Sequence, residues 1–202
     1  MRGRKKRMRY FSKFVIGLLV FGISIGNAAE SYSGSPILRA QAIIQGPGIY
    51  GVVSFTEVQI GTYSPVTAVL VIAYVAGLPP GRHGMHIHEF GSCADSTNAA
   101  GMIVPFGGAG GHFDPGPKGD TNPDFNHPFH MGDLPNLVAD ERGIAYLQYV
   151  TSRISLLSGP LSVFDHDGSA VIIHQNEDLG KTSEPNPAGT AGGSRSACGV
   201  IN

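Results

Sequence analysis

"GMHIHEFGSC", residues 84–93, places two histidines one residue apart at the end of what reads as a β-strand. Side chains alternate along a strand, so His86 and His88 point to the same face, with rings close enough to share one metal ion. A half-exposed pair making ordinary hydrogen bonds is the rival reading, because H-x-H alone is a weak motif. The surrounding sequence decides between them, and it also decides the fold.

Upstream, "AQAIIQ", "GPGIYG" and "VVSFTEV" read as a β-hairpin, and "TAVLVIAYVAGL" (67–78) as a further strand rich in β-branched residues. "PPG" turns that strand into "RHGMHIHEF". Downstream, "GIAYLQYVT" and "SAVIIH" are short apolar runs bounded by Gly, Asp or Ser. Many short strands without an amphipathic helix predict an all-β antiparallel sandwich or barrel. Residues 91–136 and 175–197 are Gly/Pro/Asn-rich and are expected to hold no clear strand. Loops this long in a compact domain are usually functional.

The chain of 202 residues is 42% hydrophobic and 14% charged, which suits one domain with a real core. Seven of its 14 basic residues precede Phe14, and the first acidic residue is Glu30. This basic start, the apolar run "FVIGLLVFGISIG" and the small residues of "GNAA" read as a cleavable secretory signal over residues 1–28. A polar tether (29–37) and a domain over 38–202 follow. Beyond Lys13, 7 basic residues stand against 15 acidic ones, a net charge of −8 that argues against a nucleic-acid partner. After signal cleavage no membrane partner is expected. Export places the chain in the periplasm, at the cell surface or free outside. In an oxidising compartment its two cysteines, Cys93 and Cys198, favour a disulfide over free thiols.

More candidate ligands sit in or beside the two long loops: His112 in "GGHFDP", His127, His130 and Asp133 in "HPFHMGD", and His174 closing "SAVIIH". Imidazole suits copper and zinc, and one carboxylate among histidines favours zinc over harder cations. "HEF" is not an H-E-x-x-H motif, and no G-x-S-x-G, P-loop or dinucleotide signature occurs. His83 reads as a structural hydrogen-bonder that helps hold the loop around the site, and His166 as a turn residue.

The ordered set "HGMHIHEFGSC", "GGHFDP", "HMGDLPN", "VIIHQNEDLG" and "GGSRSACGVI" resembles the copper–zinc superoxide dismutase family. The resemblance implies a Greek-key β-sandwich or barrel with two long functional loops. It implies copper held by His86, His88, His112 and His174, and zinc held by His112, His130 and Asp133, with His112 bridging the two metals. Asp178 matches a carboxylate that hydrogen-bonds ligands of both metals and fixes their tautomer. Arg195 matches the arginine beside the open copper position, and the Cys93–Cys198 disulfide is implied as well. The activity implied converts superoxide to dioxygen and hydrogen peroxide, with His112 also carrying a proton. A homodimer is an allowed assembly.

One position departs from the family. A histidine usually stands eight residues after the bridging one; here it is Asp120. His127, three residues before His130, is favoured over Asp120 as the third zinc ligand, because H-x₂-H can close around one ion in a turn. A copper-only dismutase with a weak or absent zinc site, and a non-catalytic copper-binding module, are the alternatives. The module would have no use for Arg195 beside an open coordination position.

Overall fold

Strand periodicity and one tight turn start the architecture. The computed structural model describes residues 38–60, 66–116, 119, 121–122, 128–180 and 191–202, all within the unit Ser35–Asn202. In β1 (Arg39–Gly46) the burial alternates, with Ala40, Ala42 and Ile44 inward, as the sequence pattern requires. β2 (Ile49–Ile60) pairs with β1 from Gly46↔Ile49 onward, so Pro47 and Gly48 alone form the turn. A neighbouring turn packs against it closely. A Cβ on Gly77, whose φ is +86°, would lie 1.9 Å from the Gly48 carbonyl oxygen, so only glycine fits there.

β3 (Val66–Ala76) follows, then β4 (Gly81–His83), β5 (Met85–His88), the two-residue strands β6 (Ser96–Thr97) and β7 (Ile103–Val104), β8 (Leu137–Ala139), β9 (Ile144–Thr151), β10 (Ala170–His174) and β11 (Arg195–Val200). Among the described residues, nine strands form one antiparallel sheet in the order β4-β8-β9-β3-β2-β1-β11-β10-β5, which curls into a nearly closed barrel. The chain skips neighbours between β3 and β4 and between β9 and β10, the crossovers of a Greek key. Phe55, Ile44, Val71, Val53, Met85 and Ile87 fill the barrel.

Two corrections concern strands. Residues 91–136 do contain strand, because the Asn98 Oδ1 accepts from the Ala100 and Met102 amides and closes a small β6–β7 hairpin. Residues 195–197, expected in loop, begin β11. Its small side chains hid it: Ala197 faces the barrel core, and Cys198 packs on the opposite face with Ala109, Ala170 and Ile172. That second, smaller core joins the sheet to the loop carrying Cys93 and Phe106, and Cys93 and Cys198 are disulfide-bonded. The signal and tether segments, Asp120 and His127 lie outside the described residues.

Candidate metal centre

All four residues of β5 are buried, which an alternating strand achieves only when both faces are covered. Met85 and Ile87 face the barrel core. His86 and His88 face outward beneath the two long loops, and this answers why a strand carries two imidazoles. The 91–136 loop reaches the free edge of β5 through backbone pairing: His88 bridges His112, His86 bridges Asp133, the Phe113 amide donates to the Ile87 carbonyl, and the Ile87 amide to that of Gly132. Pairing Ile172↔His86 and Ala170↔His88 aligns β10 on the other side, and alternation along β10 puts His174 on the face of Ala170 and Ile172, which is the histidine face; a register shift in the β10–β11 ladder sets His174 opposite Arg195.

Four rings thereby converge. Centroid separations are 4.1 Å for His86–His112, 4.9 Å for His86–His174, 5.0 Å for His88–His112 and 5.9 Å for His88–His174. One potential ligand atom from each lies within 4.8 Å of all the others, and all four residues are buried. A second group of the same tightness is His112, His130 and Asp133, so His112 belongs to both.

The hydrogen bonds define which nitrogen each ring offers. His88 donates from Nδ1 to the Gly110 carbonyl (3.0 Å), and His174 from Nδ1 to that of Gly193 (2.8 Å). In the neutral ring Nε2 then carries a lone pair, and in both residues this atom is buried with no hydrogen-bond partner. Leaving such an acceptor unsatisfied costs roughly 1–3 kcal/mol. Two of them converging on the same cluster are explained by a metal ion, which takes the lone pairs. His86 donates from Nε2 to Asp178 Oδ2 (2.9 Å), which assigns the ligand role to Nδ1, and His112 donates from Nδ1 to Asp133 Oδ1 (2.7 Å), which leaves Nε2 for the four-histidine group. Four imidazoles suit copper, and two imidazoles with one carboxylate suit zinc.

Electrostatics agree with neutral, ligating rings. Burial, reinforced by neighbouring imidazoles, lowers His86 to about 4 and His174 to about 3 and holds His88 well below the usual histidine range. Burial also lowers His112 to about 4, against the opposing pull of Asp133. At neutral pH all four rings are neutral, so the nitrogens turned into the four-histidine group carry no proton that a metal there would have to displace.

A further set of contacts orients the ligands. Asp178 is clamped by Asn136, whose side-chain amide donates to the Asp178 carbonyl and accepts from its N–H (2.8 and 2.9 Å). Gly192, at φ +98°, passes so close that a Cβ would lie 2.6 Å from the His174 Cβ. Arg195, at the start of β11, donates to the carbonyls of Phe106 (2.6 Å) and Gly110 (2.5 Å). Gly110 thus accepts from both His88 and Arg195. Phe106 holds φ +53°, an uncommon conformation for a bulky residue, and offers its carbonyl to the guanidinium.

His86, His88, His112, His130, Asp133, His174, Asp178 and Arg195 therefore meet at one place. His83 lies behind them, with Nδ1 3.0 Å from the His174 carbonyl oxygen and Nε2 2.8 Å from that of Pro79, one of which accepts its ring N–H, the structural role expected of it. The sequence reading missed Phe106, Gly110 and Gly193, which act through backbone carbonyls and carry no side-chain signature, and also Asn136. The Asn136 amide sits at the end of "HMGDLPN", where only its distance to Asp178 reveals its use.

Comparison with known proteins places this geometry in context. Residues 49–201 match the family described as copper/zinc superoxide dismutase. The chain is 37% identical over 189 residues to a Cu-Zn superoxide dismutase of Deinococcus radiodurans, covering 93% of this chain and 94% of the relative. It is 33% identical to Cu-Zn superoxide dismutase 1 of Salmonella typhimurium, covering 94% and 98%. Among solved structures, the clock protein EA4 superposes with a TM-score of 0.62 at 34% identity, covering 85% of this chain and 98% of that one.

Proposed function

Because the chain belongs to the copper/zinc superoxide dismutase family, and is thus an oxidoreductase of superoxide using copper and zinc, we propose how its own residues divide the work. His86, His88, His112 and His174 hold copper. His112, His130 and Asp133 hold zinc, with His112 as the bridge and His127, in preference to Asp120, as the remaining ligand. The observation that carries this reading is the pair of buried, unpartnered Nε2 lone pairs of His88 and His174, directed into one cluster with His86 and His112.

Copper supplies one-electron redox chemistry, by which one superoxide loses an electron to become dioxygen and a second gains one, with two protons, to become hydrogen peroxide. Arg195 draws in the anion. Its guanidinium is restrained by Phe106 and Gly110, so its direction is set before substrate arrives, and its permanent charge opposes the net negative field of the chain. With Nδ1 of His112 turned to the Asp133 side, Nε2 is the atom that would carry a proton to the reduced substrate in the part of the cycle in which it does not hold copper. Asp178 fixes the tautomer of His86.

We further propose that residues 1–28 are removed on export and that the domain over 38–202 works outside the cytoplasm, free or at the cell surface, without nucleic-acid or membrane partners. The disulfide supports an oxidising compartment, and a relative from Onchocerca volvulus, 35% identical, is named an extracellular superoxide dismutase.

Metal analysis of purified variants, paired with superoxide consumption, tests the assignment. His88→Ala should lose copper and activity while keeping zinc, and His127→Ala should lose zinc while largely keeping copper. Zinc lost from Asp120→Ala but retained in His127→Ala reverses that ligand choice. A wild-type protein that is active with copper and binds no zinc makes it a copper-only dismutase.

A further inference from the structure

Arg195 is anchored on two carbonyls, and one of them, that of Gly110, also receives the His88 Nδ1–H (2.5 and 3.0 Å). The same peptide unit continues into the Gly111 N–H, which donates to the Glu89 carboxylate at Oε1 (2.7 Å). A peptide group is planar, with its N–H and C=O directed oppositely, so whatever fixes the N–H also aims the carbonyl. Glu89 is closely fitted to this unit. A Cβ on Gly110 would lie 2.5 Å from Glu89 Oε1 and 2.6 Å from its Cγ, so the side chain lies directly on the peptide. The Glu89 backbone N–H donates to the Gly111 carbonyl (3.0 Å), which holds the base of the side chain in register with its target.

By charge alone Glu89 stands in the wrong place. It is near enough to Arg195 to oppose the lowering that burial imposes on the guanidinium, and a negative charge there weakens the attraction of an anion. We infer that Glu89 is a positioning residue for superoxide capture: by holding the Gly111 amide it fixes the Gly110 carbonyl, which aims Arg195 and turns His88 toward the copper group. This rests on Arg195 being the group that draws in the anion. Carboxylate, amide, carbonyl and guanidinium form one hydrogen-bonded line, in which charge at the N–H end enriches the oxygen at the other and each bond strengthens the next. With the carboxylate gone the peptide is free to tilt, and Arg195 keeps only its Phe106 anchor in place.

Titration of the copper- and zinc-loaded protein with azide, followed in the copper(II) absorption spectrum, reads anion capture without turnover. Arg195→Gln should weaken azide binding about tenfold. Glu89→Ala should weaken it about fivefold, although loss of a nearby negative charge would by itself tighten it. Glu89→Gln should bind azide at least as tightly as the wild type, because the amide oxygen still accepts from Gly111. Glu89→Asp keeps the charge but is one methylene short of that amide; it should lose affinity as the alanine variant does, and it serves should the latter misfold. Combined with Arg195→Gln, the alanine change should add no more than about twofold, since its effect runs through Arg195. Azide affinity unchanged or raised in Glu89→Ala and Glu89→Asp overturns the inference. An equal loss in Glu89→Gln, an undiminished loss beside Arg195→Gln, or copper lost from both shortened variants makes Glu89 a general support of the loop and overturns it too. If Arg195→Gln itself binds azide like the wild type, it is the anion-guide role of Arg195 that has failed, and the inference falls with it.

Discussion

Replacing Asp178 by Ala removes one acceptor from beneath the copper cluster without touching any ligand. In the native protein the carboxylate takes the His86 Nε2–H at 2.9 Å, with His86 fully buried and Asp178 nearly so. Without that acceptor His86 loses the contact that keeps its proton on Nε2 and its lone pair on Nδ1. The desolvation cost of such a donor, roughly 1–3 kcal/mol, corresponds to about 5- to 150-fold in an equilibrium constant. Loss of an orienting carboxylate typically weakens metal affinity 10- to 100-fold, which falls within that span. Copper affinity measured by competition with a chelator should therefore drop about 10- to 100-fold. The fold should persist, because Asn136 grips the backbone of residue 178 rather than its side chain. Asp178→Asn should lose less, since the amide oxygen can still accept. An Asp178→Ala protein that binds copper within about threefold of wild type, while His86→Ala does not, would refute this reasoning.

Arg195→Gln should keep both metals but slow superoxide consumption about tenfold, and rising salt should slow the wild type more than the variant, since screening acts on an attraction the variant has lost. Arg195→Lys should fall between them, because lysine keeps the charge but cannot span the Phe106 and Gly110 carbonyls as the fork does. Urea unfolding of Cys93→Ser should show about 5 kcal/mol less stability, since the disulfide closes a span of 105 residues; an unchanged midpoint contradicts this. The metal-free protein should lose stability as pH falls from about 6.5 toward 4: the unfolded chain takes up protons that the buried rings refuse. With His86 lowered from 6.5 to about 4, that residue alone contributes a loss of about 3 kcal/mol, measurable as a falling urea midpoint. A midpoint constant across that range contradicts it.

The sequence alone determined whatever depends on local period and side-chain type. Short apolar, β-branched-rich runs bounded by turn residues marked β1, β2, β3, β9 and β10, with alternating burial along β1 and burial on both faces along β10. The ligand types and their order along the chain marked the metal residues, because imidazole and carboxylate are scarce in a core unless paired or ligating. Tertiary structure decided what depends on distance between remote segments. β11 was illegible in "SRSACGVI" because its small side chains pack between two cores that neither their size nor their period announces. The tautomers of His88 and His174 are set by carbonyls 22 and 19 residues away, and Arg195 by carbonyls 89 and 85 residues away. A carbonyl belongs to every residue and so leaves no trace in residue identity. Only folding selects which ones face the metal cluster.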